Sequence, residues 1–278
     1  MGRRDAGAAG VSRGHVELAH APRIPEVDLS TSGWPAGAIV KLLSTDDRTG
    51  AFTAVLRLLA GYRRHAGHFT IEAEFFVLTG SLRIGETVRG PGYYEHSPSG
   101  AEQLPWSTES GAELLFFART GSPDFAAGTG LRGAEASLQC DTERMEWMVS
   151  PVPGPPEGMV IKILRHVEAT GEMTALCSTV PHYDYPMLEF HDCIEEIFLI
   201  EGDIWLGNSG LMTAGSYLWR PAFITHGPFF SRTGALMLLW VPSTLVNHVP
   251  AVPESTPEEN VAAFVANRGE RVLQPVMS

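Results

Sequence analysis

The sequence predicts an all-β chain made of two similar halves in tandem, followed by a short C-terminal helix. Three observations carry that prediction. Runs rich in Val, Ile, Leu, Phe and Thr alternate with Asp/Gly turns, the pattern of β-hairpins. A stretch near the start, residues 35–56, recurs without a gap at residues 156–177. In residues 189–202, alternation along a strand places Glu189 with His191 on one face, and Glu195 with Ile197 and Leu199 on one face.

Residues 1–33 are rich in Gly, Ala, Arg and Pro, without sustained periodicity, and are expected to form an extended or partly disordered arm. The first ten residues carry arginines but no apolar segment follows, so no secretory signal is expected. No stretch is long and apolar enough to span a bilayer. Strands begin after Pro35: residues 38–43 and 51–59 flank a turn at Asp46, Asp47, Thr49 and Gly50. The repeat matches Gly37 with Gly158, Lys41 with Lys162, Leu43 with Leu164, Thr49-Gly50 with Thr170-Gly171 and Thr53-Ala54 with Thr174-Ala175. With small drifts it continues from Gly80 to Gly202, Gly92 to Gly215 and Pro98 to Pro221. The expected organisation is an arm at 1–33, a first half at 34–125, a Gly/Ala/Pro-rich linker at 126–155, a second half at 156–250, and a helix and tail at 251–278. Thr256 and Glu259 have capping-box spacing with Pro257 at the first helical position.

The chain has 278 residues, 44% hydrophobic and 19% charged, enough for two domains of ordinary size. A net charge of -12 argues against a nucleic-acid or anionic-membrane surface. Cys140, Cys177 and Cys193 make an odd count without C-x-x-C spacing, which predicts free thiols and a cytoplasmic location. Cys193 reads as a small core residue facing away from His191.

The chemistry concentrates in the second half. Ionisable groups are rarely buried unless paired or bound to a metal. Glu189, His191 and Glu195 beside the apolar run Ile197–Ile200 therefore read as a site for a hard or borderline cation. A second stretch, residues 215–226, supplies His226.

Together these stretches resemble the two cupin motifs, G-x5-HxH-x3,4-E-x6-G and G-x5-PxG-x2-H-x3-N. His191 fits the second histidine of the first motif, and Glu195 its glutamate, six residues before Gly202. Gly215, Pro221 and His226 fit the second motif. Glu189 stands where the first histidine belongs, Phe223 replaces a glycine and Phe230 replaces the final asparagine. The resemblance implies two tandem cupin barrels (double-stranded β-helix, or jelly-roll), a bicupin, with a divalent metal held by Glu189, His191, Glu195 and His226. The first half keeps Gly92, Pro98 and Gly100 but has Ala73 at the glutamate position and Gln103 at the histidine position. It reads as a degenerate, structural copy, with Glu72 and Glu74 facing solvent; the alternative is a second site in a shifted register, using His65, His68, Glu72 and Glu74.

Two imidazoles and one or two carboxylates suit Fe(II), Mn(II), Zn(II) or Ni(II). The resemblance favours Fe(II) and a dioxygenase cleaving a diketone, hydroxy-ketone or aromatic substrate. A Lewis-acid isomerase, lyase or hydrolase using zinc or manganese is the alternative. A non-catalytic sensor, similar to the cupin domains of anti-sigma-factor-type regulators, is a further one, although no partner-binding helical segment stands out. Among nearby residues, His182 or a tyrosine (Tyr217, or Tyr183 and Tyr185 on the segment leading into Glu189) can serve as general acid or base, against the plainer reading of a strand end. Arg220 either holds a substrate oxygen or pairs with a barrel carboxylate. The expected partners are a small-molecule substrate and a second copy of the chain as a homodimer, with no nucleic acid and no membrane.

Overall fold

The computed structural model describes residues 13–32, 34–122, 124–151 and 158–249, with Glu258, Glu259, Ala262, Val265 and Ala266. Strands of the first part are Val16–His20 (β1), Val27–Asp28 (β2), Ala38–Thr45 (β3), Phe52–Leu58 (β4), Ala73–Gly80 (β5), Tyr93–Ser97 (β6), Ala112–Ala118 (β7) and Leu138–Asp141 (β8). Those of the second are Met148–Val149 (β9), Met159–Val167 (β10), Glu172–Thr179 (β11), Glu195–Leu206 (β12), Ser216–Arg220 (β13) and Ala235–Val241 (β14). One sheet runs β8-β6-β5-β7-β4-β3-β2, and the other has β1-β13-β12-β14-β11-β10-β9 as its main path. These are the same order, read once in each half. The register agrees too: Val40 faces Leu56 across β3/β4 as Ile161 faces Cys177 across β10/β11, the residues that the repeat matches.

The chain divides into two compact units, and His15–Pro22 belongs to the second. The expected arm at 1–33 is thus partly ordered. β1 is a strand that pairs with β13, Val16 opposite Trp219 and Glu17 opposite Leu218. The stretch expected as a linker likewise holds two edge strands, β8 on β6 and β9 on β10. Such short strands have no periodicity to read, and their stability comes from partners far away in sequence. The capping residues Thr256 and Pro257 lie outside the described residues, as do the first ten residues and Pro156 of the repeat; Glu258, Glu259, Ala262, Val265 and Ala266 are helical. Among the described residues no helix is long and apolar enough to cross a membrane. All three cysteines are free.

The two interiors are filled differently. In the first, Phe75, Phe116 and Trp106 sit in a continuous aromatic core with Trp34, Phe69 and Tyr93. Phe75 and Phe116 face each other across β5/β7, and their counterparts across β12/β14 are Ile197 and Leu239. Leu56 is matched by Cys177 and Phe52 by Met173, so smaller or more pliable side chains line the second interior.

Gly202 and Gly80 show why the sheets need glycine at matched points. Both adopt a left-handed backbone, φ 79° and 77°. A Cβ on Gly202 would lie 1.9 Å from the Gly234 carbonyl oxygen, and one on Gly80 2.3 Å from that of Gly111. We expect Gly202→Ala to destabilise the protein by about 2–3 kcal/mol, from the left-handed backbone and the clash together, measured by denaturant unfolding. Ala at the exposed Gly61, where nothing lies within 4 Å, should lose only the backbone part, about 1–2 kcal/mol.

Candidate metal centre

Backbone pairing assembles the site before any side chain acts. Glu189 and His226 form an isolated antiparallel bridge, each N–H donating to the other's carbonyl at 2.9 Å. The Phe223 N–H donates to the His191 carbonyl at 2.8 Å. Phe223 holds φ 66°, the left-handed conformation that glycine supplies at this motif position. Glu195 opens β12 and lies opposite Arg220 of β13.

Four side chains converge. Donor atoms of Glu189, His191 and His226 all lie within 4.8 Å of one another. Glu189 Oε1 stands 4.0 Å from His191 Nε2 and 3.7 Å from His226 Nε2. Glu195 borders that group of three: its Oε1 stands 3.7 Å from His191 Nε2, and its Oε2, the oxygen that Arg220 holds, 3.8 Å from His226 Nε2. An ion with bonds of about 2.1 Å holds neighbouring donors roughly 3.0–3.4 Å apart, so these donors would close in by roughly 0.3–1.0 Å to bind one.

Each ligand's second atom is already committed. His226 Nδ1–H donates to the Ile224 carbonyl at 2.8 Å, and His191 Nδ1–H to that of Val246 at 3.4 Å. A carbonyl can only accept, so both Nε2 atoms are left as bare acceptors, buried and without a hydrogen bond. The Tyr185 hydroxyl donates to Glu189 Oε2 at 3.1 Å, leaving Oε1 inward. Arg220 donates to Glu195 Oε2 at 2.8 Å. Two orphaned imidazole nitrogens between two carboxylates are a donor set that fits a divalent cation.

Arg220 bonds a carboxylate on each side. It is 2% exposed, and β1 brings Glu17 to its far side, with bonds of 2.9 Å from Nε and 2.6 Å from Nη2. The guanidinium is thereby shared between Glu17 and Glu195, which decides for the barrel-carboxylate reading over the substrate-holding one. Burial opposes ionisation of Glu195, and the Arg220 guanidinium favours it. Burial also opposes ionisation of Glu17, yet its bonds to Arg220 bring it down to about 2.

The other two catalytic candidates stand apart. Tyr217 lies on the opposite face of β13, its hydroxyl donating to Glu196 at 2.7 Å. Strand alternation puts Glu195 and Tyr217 on different sides of the sheet. His182 is exposed on a turn with φ 63°. Tyr183 and Tyr185, its neighbours, are the ones that turn inward and line the cavity. Burial, with Glu189 close by, raises both phenols well above their usual range, so they remain O–H donors. The cavity, about 100 Å³, is bounded by Glu189, His191 and Glu195 and by walls including Met159, Met173 and Leu239. Among the described residues no lysine or arginine lines it. Cys177 also borders it, its thiol pushed up to about 12 by burial and by Glu195, and so stays protonated.

In the first unit Glu74 corrects the solvent-facing expectation. It is 1% exposed, bonded to the Tyr94 hydroxyl at 2.7 Å and Arg119 at 3.1 Å. The Tyr94–Glu74 pair duplicates Tyr217–Glu196, a feature of the sheet's second face in both halves.

The Glu17 contact yields a pH prediction. A carboxyl depressed from 4.5 to about 2 stabilises the fold fully above pH 4.5 and loses that contribution as pH falls toward 2. Solvent reaches part of the pair, so about 1–2 kcal/mol is expected. The stability difference between wild type and Glu17→Gln should be flat from neutral pH to about 4.5 and shrink below it, read by urea unfolding across pH.

Among solved structures, a candidate dioxygenase from Nostoc punctiforme is similar over 84% of this chain and 86% of its own, at 21% identity and a TM-score of 0.74. YlbA from E. coli matches over 81% and 89% at 13% identity, TM-score 0.58. An oxalate decarboxylase from Lactobacillus farciminis, solved with formate, matches over 88% and 96% at 10% identity, TM-score 0.56. At these identities the likeness establishes the cupin jelly-roll fold. Among curated proteins none matches the sequence. Residues 35–247 match a family described as a domain of unknown function, and the chain belongs to that family, DUF4437.

Proposed function

We propose that the protein is a metal-dependent bicupin enzyme whose second barrel acts on a small uncharged organic molecule, most simply as a non-haem Fe(II) dioxygenase of a diketone or hydroxy-ketone. One observation carries this reading: two bare, buried imidazole nitrogens and two half-committed carboxylates face one point beside an apolar cavity. Glu189, His191, Glu195 and His226 would hold the ion. Two carboxylates balance a divalent charge, and Arg220 is balanced by Glu17, so the occupied site is close to neutral. With no cationic side chain among the described lining residues, that suits an uncharged ligand better than an anion.

When bound, the ion supplies Lewis acidity and, as iron(II), electrons for dioxygen chemistry. The chain's own residues bind, orient and exclude water. Tyr183 is a protonated hydroxyl beside the donors. Asn247 Oδ1 lines the same space as a buried acceptor with no hydrogen bond among the described residues, placed for a substrate hydroxyl. The thioether and aliphatic walls keep water from the reacting end. The likeness to a candidate dioxygenase and to oxalate decarboxylase supports metal-dependent chemistry on small molecules.

A second reading uses the same four donors: with Glu189 among them the negative charge is high and one position is closed, which also suits a zinc or manganese Lewis acid in an isomerase, lyase or hydrolase.

Metal analysis of the purified protein, with His226→Ala and Tyr185→Phe alongside, tests both. We expect about one equivalent of metal per chain, lost in His226→Ala and held about tenfold more weakly in Tyr185→Phe. Iron with oxygen uptake on a panel of 1,3-diketones and hydroxy-ketones supports the dioxygenase. Zinc or manganese without oxygen uptake supports the Lewis acid. Absence of metal from the wild type, or metal retained in His226→Ala, removes both and leaves a binding role.

A further inference from the structure

The first barrel repeats the backbone frame of the metal centre but not its donors. Gly67 and Gln103 pair as Glu189 and His226 do, with bonds of 3.0 and 2.7 Å, and the Gly100 N–H donates to the Phe69 carbonyl as Phe223 does to His191. The positions equivalent to Glu189, His191, Glu195 and His226 are therefore Gly67, Phe69, Ala73 and Gln103. Gly67 has no room for a side chain: a Cβ there would lie 2.2 Å from the Ala126 carbonyl oxygen and 2.6 Å from the Phe125 ring.

A fixed cation stands nearby instead. Arg64 pairs with Trp106 across the ladder as Tyr185 pairs with Phe229, so it takes the place of the tyrosine that serves Glu189. It is 2% exposed. Its guanidinium carbon lies 3.8 Å from the centre of the Trp106 ring, 4.1 Å from that of Phe125 and 5.1 Å from that of Phe69. Nε, Nη1 and Nη2 are all buried, and none has a hydrogen bond among the described residues. The same holds for Tyr62 Oη, Trp106 Nε1 and Gln103 Oε1. Glu95 shares the inner face of β6, but its oxygens already accept from Tyr93 at 2.8 Å and Ser97 at 3.2 Å.

Aromatic faces offset only part of what a guanidinium loses on leaving water. Burial accordingly pulls Arg64 down to about 9, with Tyr62 and Glu95 opposing the shift. The group is rich in donors, five N–H from Arg64, one from Trp106 and one O–H from Tyr62, and asks for a partner that only accepts. Rings packed at 4.8–6.3 Å between centroids (Phe75–Trp106, Phe69–Phe125, Phe69–Trp106) restrict that partner to a few atoms. A guanidinium fork matches a planar one.

We propose that the first barrel is a metal-independent anion site, in which Arg64, with Tyr62 and Trp106, binds a small planar monoanion of the carboxylate type. It stands apart from the metal reading of the second barrel.

The test is thermal unfolding of the full chain after chelator treatment, titrated with sodium formate at an ionic strength held by a bulky sulfonate buffer. We expect a saturable rise of roughly 2–4 °C, larger with formate or nitrate than with chloride. His226→Ala should retain the rise. Arg64→Met should abolish it, while matching or exceeding the wild-type midpoint without formate, because an unpaired buried charge has been replaced by an apolar chain. Glu95→Gln, which removes a nearby negative charge, should bind formate several-fold more tightly. The proposal is overturned by a wild type that does not respond, by an equal response in Arg64→Met, or by a Glu95→Gln protein that is strongly destabilised and indifferent to formate. That last result would make Glu95 the counter-charge of Arg64.

Discussion

Two backbone hydrogen bonds, exchanged between Glu189 and His226, are the constraint on which the second barrel's chemistry depends. They clamp the segment entering β12 to the loop leaving β13, so donors 37 positions apart in sequence share one point. Because main-chain groups make the clamp, it is indifferent to side-chain identity. The same clamp between Gly67 and Gln103 survives in the first barrel, where the four equivalent positions, Gly67, Phe69, Ala73 and Gln103, hold no histidine or carboxylate. Frame and chemistry are thus separable: the duplication copied the frame, and substitution at a few inward positions changed what it holds.

Volume and charge follow from those substitutions. Where the first barrel packs Phe75 against Phe116, the second packs Ile197 against Leu239, and the difference helps open the cavity beside the donors. Buried carboxylates need compensation. In the second barrel it is arranged in series, Glu17 to Arg220 to Glu195, with the bare histidine nitrogens beyond. The N-terminal strand is therefore part of the site's electrostatics although none of its residues enters the cavity. In the first barrel the sign is reversed: the four equivalent positions carry no histidine or carboxylate, and a cation, Arg64, faces an aromatic interior.

Much of this was legible in the chain before any coordinates. The hairpins, the repeat and the turn glycines follow from local rules, since alternation and Asp/Gly turns act over a few residues. Histidines and carboxylates at motif spacing pointed to the donors for the same reason: a strand's period assigns faces without reference to distant partners. Alternation also held the answer on Tyr217, which lies in the adjacent strand with its face set by pairing rather than by its own neighbours in sequence. Glu17 carried no signal, because β1 is short and its partner lies about two hundred positions away.

The sequence alone determined the all-β class, the internal repeat and which histidines and carboxylates are candidates for a cation, because each rests on periodicity, turn chemistry or side-chain type. Tertiary structure alone decided that β1 joins the second unit's sheet, that Arg220 is spent between two carboxylates, that Tyr185 bonds Glu189 while His182 lies exposed, and that Glu74 and Arg64 are buried. Each of those depends on pairing and packing between segments remote in the chain, where distance and exposure are fixed by the whole fold and leave no trace in local pattern.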